Sequence, residues 1–341
     1  MIFVTGGTGL VGSHVLFKLL EKGEKVRALK RESSNVQQVL KTFSYYSAKA
    51  EAYFNAIEWV NGDILDYYSL EELLIGVDEI YHCAAIVSFD PKDRVQMISN
   101  NVEGTANLVD AAIENGVKKI CYVSSIAALG KLQNGEVVTE ETNWVPTKKN
   151  SAYSESKFFS EAEIWRGIEE GLDAVIVNPS IIIGPGNWES SSARLFKTIW
   201  DGLKFYTKGV TGYVDVNDVV DIMVRLMEDE RFEEHKNQRY LLNAENLSYE
   251  AIFNQIADAL EKPRPSVFAS DFMAGIAWRA SAVWSRLSGK TPTITKELAT
   301  GKNEINKFDG SKVVNVLGFQ YASVADSIKR TAAFFKEDYS E

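Results

Sequence analysis

The chain has 341 residues, of which 45% are hydrophobic and 25% charged, and its formal net charge is −10. This is ordinary globular composition, with enough apolar residues for a sizeable core or two unequal lobes. The net negative charge, without any basic patch or run of lysines and arginines, excludes the nucleic-acid-binding classes.

Short apolar runs alternate with helical patterns over roughly the first half of the chain. The predicted strands are residues 2–4, 25–29, 57–60, 79–82, 119–123 and 172–177, and the predicted helices are residues 13–20, 35–54, 101–114 and 151–171. Such alternation implies right-handed β-α-β crossovers. We therefore expect an α/β fold, a Rossmann-type doubly wound parallel sheet with helices on both faces.

The alternation stops after Pro179, where Gly184, Pro185 and Gly186 begin a loop. The later segments mix helices with short strands and are rich in aromatic residues. We predict a dinucleotide-binding Rossmann domain at residues 1–178, rejoined by about 213–242. A smaller, mixed α/β substrate-binding lobe would occupy most of residues 179–341, with a cleft between the lobes beyond the carboxyl ends of the strands.

The first twelve residues, MIFVTGGTGLVG, have the pattern of a strand, a glycine turn and the start of a helix. Residues 7–12 match the dinucleotide fingerprint G-x-G-x-x-G, in which glycines let a diphosphate approach the main chain and the helix start offers it N–H groups. The cofactor-binding residues predicted in this segment are Thr5, Gly6, Gly7, Thr8, Gly9, Leu10, Val11 and Gly12.

Two cations follow the second strand, where an NAD-type Rossmann unit usually has Asp or Glu for the ribose 2′-hydroxyl. Lys30 and Arg31 would instead pair with the 2′-phosphate of NADP, so we favour NADP(H) over NAD(H) as cofactor. Glu32 keeps NAD(H) open as the alternative. Asp63 and Ile64 end the third strand, and Asp63 is placed either to accept from the adenine amino group or to cap a turn.

Tyr153 and Lys157 lie four residues apart in a predicted helix, so both side chains face one site. A tyrosine with a reference pKa of about 10 carries protons poorly at neutral pH unless positive charge stabilises its phenolate, and Lys157 supplies that charge. Ser124 and Ser125 end the preceding strand, and a further strand ends in Asn178-Pro-Ser.

These motifs resemble the extended short-chain dehydrogenase/reductase superfamily, also called the NAD-dependent epimerase/dehydratase family, over nearly the whole chain. The segments that carry the resemblance are Thr5–Gly12, Ala84–Ala85, Asn101–Thr105, Phe308–Lys312 and Leu317–Phe319. The family's Arg-Pro-x-x-x-x-Gly-Pro motif is present with Asn178 in place of the arginine. The segment HCAAIVSFD at 82–90 is closest to the dihydroflavonol-reductase and 3β-hydroxysteroid-dehydrogenase branch.

The resemblance implies a catalytic trio of Ser125, Tyr153 and Lys157. Ser125 matches better than Ser124 because it lies five residues before Gly130. A substrate carbonyl would accept hydrogen bonds from Ser125 and Tyr153, the nicotinamide would deliver hydride, and Tyr153 would donate the proton. Lys157 would bond the nicotinamide ribose. Further implied cofactor contacts are Ala84, Ala85, Asn101, Ser124, Asn178, Pro179 and Ser180.

Substrate specificity is expected from the loop after Ala85 and from the second lobe. The candidates, each of which ordinary packing would also explain, are Val87, Ser88, Phe89, Ile126, Trp188, Arg194 and Tyr213. This largely apolar set favours a hydrophobic or aromatic carbonyl compound, or the corresponding alcohol, over a free sugar. The resemblance also implies a homodimer formed through residues 97–115 and 151–170.

The cysteines and histidines indicate whether disulfides or a metal site are expected. Cys83 and Cys121 fall in apolar runs and predict buried thiols without disulfides, whereas His14, His82 and His235 lack the spacing of a metal site. A first strand at residue 2 leaves no room for a signal peptide, so we expect a cytoplasmic protein.

Three functions remain open at this point. The leading hypothesis is an NADP(H)-dependent reductase or dehydrogenase. The alternatives are a nucleotide-sugar epimerase/dehydratase with tightly bound NAD and a non-catalytic nucleotide-sensing protein. The apolar stretch at 268–287 carries too many charges to span a bilayer, so no transmembrane segment is expected, although it could lie on a membrane surface.

Overall fold

The computed structural model of the chain describes residues 1–88, 90–132, 136–147, 150–270 and 304–339. Phe89, one of the predicted substrate residues, lies outside the described residues. Residues 271–287, most of the segment for which a membrane-surface position was considered, also lie outside them.

The six predicted strands are present, each within two residues of its predicted bounds. The strands are β1 (Ile2–Thr5), β2 (Val26–Lys30), β3 (Glu58–Asn61), β4 (Glu79–His82), β5 (Lys119–Val123), β6 (Val137–Val138), β7 (Asp173–Pro179), β8 (Ile181–Ile183), β9 (Phe205–Tyr206), β10 (Val210–Asp215), β11 (Gln238–Leu242), β12 (Glu245–Ser248), β13 (Val267–Phe268) and β14 (Lys307–Phe308).

The helices connect these strands and cover the sheet. They are α1 (Leu10–Glu21), α2 (Gln37–Ser44), α3 (Ala50–Asn55), α4 (Tyr67–Leu73), α5 (Arg94–Glu114), α6 (Ala152–Glu169), α7 (Arg194–Trp200), α8 (Val216–Leu226), α9 (Phe232–His235), α10 (Tyr249–Ala259), α11 (Ser311–Leu317) and α12 (Val324–Tyr339). Short 3-10 turns lie at Pro91–Asp93 and Ile126–Ala128.

The helical stretch predicted at 35–54 is two helices, α2 and α3, rather than one. Between them the Ser47 hydroxyl oxygen accepts a hydrogen bond from the Lys49 N–H at 3.1 Å. Such a local side-chain-to-backbone bond competes with the helical pattern, which explains the interruption.

Seven strands form one parallel sheet in the order β11-β7-β5-β4-β1-β2-β3. Every adjacent pair is parallel. The strand order reverses direction at β1, which has β2 on one side and β4 on the other. This confirms the predicted Rossmann-type sheet, and ligands of such sheets bind beyond the carboxyl ends of the strands at the reversal point.

Successive strand residues point to opposite faces of the sheet. Helices cover both faces, so each face has its own buried core. Val4 packs in one core with Leu16 of α1 and residues of α2 and α8. Phe3 packs in the other with Leu108 of α5, Ile164 of α6 and residues of α4. Apolar residues are therefore needed on both sides of each central strand. This is why these strands are continuous apolar runs in the sequence, as is typical of a parallel sheet covered by helices on both sides.

A second sheet of three strands, in the order β12-β10-β8, follows the main sheet in the chain. It packs with α7, α10 and α12 around a separate core that includes Phe196, Ile256 and Phe335. Strand β11 instead returns to the edge of the main sheet beside β7. We propose residues 1–178 and 179–341 as the two lobes, with β11 as a part of the second range that belongs to the first lobe.

The predicted return segment at 213–242 is split between the two lobes. Residues of α8 pack in the core that also holds α1, and β11 joins the main sheet. Strand β10 instead pairs with β8 and β12.

Among the helices of the described ranges, none is both long and apolar enough to cross a membrane.

Candidate active site at the carboxyl ends of the strands

The glycine turn between β1 and α1 is held tightly against the end of β4. Gly6 has φ +68°, and a Cβ there would lie 2.5 Å from the Ala84 nitrogen. A Cβ on Gly12 would overlap the Gly6 carbonyl oxygen. Below the turn, the Thr5 hydroxyl lies 2.6 Å from Nδ1 of buried His82. Backbone packing therefore requires both glycines, whatever the turn binds.

The start of α1 is open in a way that fits a diphosphate. Gly9 caps the helix without any side-chain hydrogen bond, and its Cα is exposed. In the described part of the chain, no hydrogen bond reaches the N–H groups of Leu10, Val11 and Gly12. Unpartnered N–H groups and the positive end of the helix dipole form an anion site. A dinucleotide cofactor therefore fits this turn.

The end of β2 presents one engaged and one open cation. Lys30 Nζ donates to Asn61 Oδ1 at 2.8 Å. Arg31 is exposed, and no hydrogen bond or ion pair to its guanidinium is found within the described ranges. Its backbone N–H donates to the Ser34 hydroxyl oxygen at 3.1 Å. The Arg31 guanidinium is thus available to a ligand at this strand end.

Asp63 and Ile64 have local structural partners. Asp63 Oδ1 accepts from the Leu65 N–H at 3.0 Å, which is the turn-capping role. Ile64 packs so closely on Gly104 of α5 that a Cβ on that glycine would overlap it. The turn role of Asp63 occupies one of its two oxygens, so a contact with adenine would use the other.

Asn101 holds the loop after β4, which begins at Ala84 and Ala85. Its Oδ1 accepts from the Ile86 N–H at 2.7 Å, and its Nδ2 donates to the Ile86 carbonyl at 2.9 Å and to Ser156 Oγ at 3.2 Å. The Asn101 amide is buried and bonded at both ends. It therefore shapes the cleft by fixing the loop.

Ser125, Tyr153 and Lys157 are brought together between the end of β5 and the start of α6. The Ser125 hydroxyl is hydrogen-bonded to the Tyr153 phenol, and its oxygen also accepts from the Ala127 N–H at 3.1 Å. Lys157 is 4% exposed, and its Nζ donates to the Val123 carbonyl at 2.9 Å. The predicted trio thus shares one site.

Burial changes the proton affinities of this trio. It raises the pKa of Tyr153, and the hydrogen bond with Ser125 opposes that rise. It lowers the pKa of Lys157 to about 8. In this structure the Lys157 ammonium donates to the Val123 carbonyl, and the hydrogen bond with Ser125 opposes the effect of burial on Tyr153. That Lys157, with a nicotinamide beside it, lowers the tyrosine pKa stays a prediction.

The end of β7 lies beside this site, and the side chain of Asn178 points toward it. Asn178 Nδ2 donates to the Ser125 carbonyl at 3.1 Å and to Glu161 Oε2 at 2.7 Å. Pro179 pairs with Leu242 of β11, whose carbonyl accepts the Ser180 N–H at 2.9 Å. This strand end is fixed from both sides.

Sequence reasoning missed Glu161, which is 3% exposed. Its Oε2 also accepts from the Ser124 hydroxyl at 2.6 Å, so Ser124 faces α6. A sequence signal existed, because Tyr153, Lys157 and Glu161 follow one another at intervals of four and thus share a helix face.

The predicted substrate residues divide into two groups. Val87 is 55% exposed in the loop after β4, and the Ser88 hydroxyl donates to Asp93 at 2.6 Å. Ile126 lies in the 3-10 turn after Ser125 and packs on a small core, and Arg194 begins α7. These residues remain candidates.

Trp188 and Tyr213 instead belong to the core of the smaller lobe. Trp188 packs edge-on against Phe335, and its Nε1 donates to Asp338 at 2.7 Å. The Tyr213 side chain is fully buried. Core packing and the bond to Asp338 account for Trp188, whereas the buried Tyr213 hydroxyl has no hydrogen-bond partner among the described residues. Their role toward a substrate stays a prediction.

Neither cysteine forms a disulfide: Cys121 is buried and Cys83 partly exposed. Within the described ranges, no group of three or more histidine, cysteine, aspartate or glutamate side chains is placed to hold a metal ion.

Comparisons with known proteins identify the family of this chain and match its fold. A model of the NAD dependent epimerase/dehydratase family matches residues 2–241. The chain is 30% identical to "Putative dihydroflavonol 4-reductase" of Synechocystis sp., over 98% of this chain and 94% of that protein. It is 31% identical to cinnamoyl-CoA reductase 1 of Petunia hybrida, over 67% of this chain and 69% of that one.

A solved structure extends the similarity to the whole fold. The crystal structure of gox2253 is 29% identical, with a TM-score of 0.78, and the match covers 99% of this chain and 98% of that chain.

Two alanine variants separate packing from ligand binding in the glycine turn. Gly12→Ala should lower the melting temperature, because its Cβ overlaps the Gly6 carbonyl. Gly9→Ala should lower it much less, since its Cβ meets only the Gly6 oxygen, at 3.3 Å, and a small shift relieves that contact. It should still bind NADPH about tenfold more weakly, or ~1.4 kcal/mol, because the methyl group crowds the open helix start. Thermal melts and NADPH fluorescence titration measure both effects, and equal melting temperatures for the two variants would contradict the packing role of Gly12.

Proposed function

The chain belongs to the NAD-dependent epimerase/dehydratase family of extended short-chain dehydrogenases/reductases and is an NAD(P)-dependent enzyme, and on this premise we propose that it is a carbonyl reductase that uses NADP(H). The substrate would be a small to medium apolar or aromatic carbonyl compound, or the corresponding alcohol in the reverse direction. The single observation that carries the proposal is the Ser125–Tyr153 contact beside buried Lys157.

The chain's own groups account for polarising and protonating a carbonyl. The Ser125 and Tyr153 hydroxyls converge from β5 and α6, so one substrate oxygen can accept hydrogen bonds from both. The Ala127 N–H occupies one acceptor site of the Ser125 oxygen and helps direct its proton toward Tyr153 or the substrate. A high tyrosine pKa keeps the phenol protonated and ready to donate in the reductive direction.

Lys157 would contribute a cation at the floor of the site. With a pKa of about 8, it is mostly protonated at neutral pH. Its ammonium has donors beyond the one given to Val123, and we propose that they bond the ribose of the nicotinamide nucleotide. The bound nicotinamide supplies the hydride in reduction and accepts it in oxidation.

Two relatives favour reduction over epimerisation. The proteins from Synechocystis and Petunia are both named as reductases, and each is at least 30% identical to this chain. Val87 is exposed in the loop after β4, and the partly buried Ile126 directly follows Ser125 in the chain. These side chains suit an apolar substrate better than a sugar.

Arg31 supports the preference for NADP(H). It follows the strand at which Rossmann folds recognise the ribose 2′ substituent. Its guanidinium is exposed and has no protein partner within the described ranges. A guanidinium can form a bidentate pair with a phosphate, whereas the 2′-hydroxyl of NAD gives it no charge to pair with.

A second copy of the chain would bind at the outer face of α5 and α6. Val95 is 78% and Phe159 45% exposed, although both are apolar. They line an open groove together with Ile98, Val102 and Ala162. Because contiguous exposed apolar residues are uncommon on monomers, we propose that this face forms a homodimer.

Replacing Tyr153 tests the reaction. Tyr153→Phe keeps the ring but removes the proton donor, so kcat for carbonyl reduction should fall by about 10²–10⁴-fold. The measurement is NADPH oxidation with aromatic aldehydes, flavonoid ketones and steroid ketones, and product analysis with UDP-sugars, whose epimerisation or dehydration consumes no NADPH. Tyr68→Phe, at a 77% exposed site on α4, is the matched control. Turnover of UDP-sugars alone, with a cofactor that co-purifies, would favour the epimerase instead.

Replacing Arg31 tests the cofactor preference. Arg31→Ala should raise the KM for NADPH about tenfold through the loss of a charge-assisted contact, and should leave the KM for NADH nearly unchanged. Lys49→Ala, an exposed site before α3, controls for the loss of one positive charge elsewhere. Equal changes for both nucleotides would refute the assignment to NADP(H).

A charge in the α5–α6 groove tests the dimer. Phe159→Glu would bury a carboxylate in the proposed interface, which is costly, so the mass from light scattering should fall to that of one chain. Ile75→Glu, at a 66% exposed site after α4, should leave the mass unchanged. A wild-type mass of one chain would itself disprove the proposal.

A further inference from the structure

Glu161 is a buried carboxylate at the base of the proposed active site. It follows Tyr153 and Lys157 at successive intervals of four residues on α6, so the three side chains share one helix face. A carboxylate that is 3% exposed needs partners to offset its lost hydration.

Four donors surround this carboxylate, two on each oxygen. Oε2 accepts from Ser124 Oγ at 2.6 Å and from Asn178 Nδ2 at 2.7 Å. Oε1 accepts from Arg239 at 3.2 Å and from Trp165 at 3.3 Å. An ionised carboxylate accepts four hydrogen bonds, so this environment matches the ionised form.

The same network reaches Ser125 by two routes. Ser124, its chain neighbour, is bonded to Glu161 directly. Asn178 Nδ2 donates both to Glu161 and to the Ser125 carbonyl, at 2.7 and 3.1 Å. Strand β5 ends at Val123, and beyond it the Ser124 N–H donates to the Val177 carbonyl of β7 at 2.8 Å. The side-chain contacts of Glu161 and Asn178 add to this backbone bond and extend the support to Ser125.

We propose that Glu161, through Ser124 and Asn178, is a positioning residue that fixes Ser125 against Tyr153. The carboxylate ties the segment after β5 to α6, the helix that carries the phenol. This inference rests on the proposed function, because Ser125 and Tyr153 must meet one carbonyl oxygen. Misplacement of a reacting group by about 1 Å can cost about 100-fold in rate, so such a tie affects turnover.

Glu161 also acts on the charge of Lys157. Burial lowers the pKa of Lys157, and the neighbouring Cys83 and Glu161 oppose that lowering. Burial raises the Cys83 thiol pKa to about 12 and lowers that of His82 to about 3, so both are neutral near pH 7. Only a Cys83 thiolate could oppose the lowering of the Lys157 pKa, so near pH 7 the opposing charge is that of Glu161. The Tyr122 ring lies 5.2 Å from Lys157 Nζ, and burial raises its phenol pKa, so it too is neutral.

The sign of the pH effect follows from this arrangement. The Glu161 carboxylate stabilises the Lys157 ammonium, so its neutralisation should move the lysine pKa further below about 8. The alkaline limb of any property that needs protonated Lys157 should then shift to lower pH.

Glu161→Gln tests the inference, because it keeps the size of the side chain and removes its charge. We expect kcat for carbonyl reduction to fall about 10- to 100-fold. The KM for NADPH near pH 6 should stay close to wild type, and the alkaline inflections of kcat and of NADPH binding should move to lower pH. Unchanged kcat would overturn the inference.

Glu140→Gln is the matched control. Glu140 is 8% exposed and accepts from the Leu241 N–H at 2.8 Å. Its backbone carbonyl accepts from Arg239, so it belongs to the same buried region without contacting Ser124 or Asn178. Its replacement should lower thermal stability without shifting the pH inflection. Equal behaviour of the two variants would show a merely structural Glu161 and overturn the inference.

If Glu161→Gln does not fold, Ser124→Ala tests the positioning role instead. It removes one hydrogen bond to Glu161 and keeps the charge of the carboxylate. A lower kcat with an unshifted inflection would support positioning, whereas wild-type kcat would contradict it. If wild type reduces no carbonyl, the proposed function fails. The positioning is then tested by the crystal structures of the two variants: a Ser125 hydroxyl displaced from the Tyr153 phenol in Glu161→Gln but not in Glu140→Gln supports the inference, and an unmoved Ser125 refutes it.

Discussion

The contact between β5 and the first three turns of α6 is the constraint on which the rest of the site depends. Three consecutive residues at the strand end each contact a different turn of the helix: Val123 with Lys157, Ser124 with Glu161 and Ser125 with Tyr153. Strand β5 is buried at all five residues between β4 and β7. It cannot shift without breaking the sheet, so the site takes its rigidity from the fold.

Buried charge explains why the network beneath this contact is so complete. Removing one partner from a buried ion pair typically costs about 3–5 kcal/mol, which is a large share of the ~5–15 kcal/mol that stabilises a folded protein. Glu161 and Lys157 are each 4% exposed or less; four donors surround the Glu161 carboxylate, and the Lys157 ammonium donates to the Val123 carbonyl. Apolar side chains of similar size would stabilise the fold equally well. The buried charges of Glu161 and Lys157 are therefore better explained by a role in the proposed reaction than by stability.

Local signals made much of this protein predictable from sequence. The strand bounds, the glycine turn and the pairing of Tyr153 with Lys157 depend on neighbours along the chain, and the sheet that they imply is present. Two features depended on long-range packing and were not predicted. Two of the four partners of Glu161 come from the distant strands β7 and β11, and burial dominates the pKa of Tyr153. Aromatic residues such as Trp188 pack equally well in a core or a pocket, so their pattern could not decide between the two.

Asn178 shows how the fold accommodates its departure from the family's motif, which has arginine at that position. Its short amide fits between Glu161 and the Ser125 carbonyl and bonds both. The positive charge that Glu161 needs comes instead from Arg239 of β11, the strand beside β7. An arginine at 178 would bring a second guanidinium to a carboxylate that already has one. The neutral amide and the cation on the neighbouring strand are therefore complementary, and the return of β11 to the main sheet completes the support of the active site.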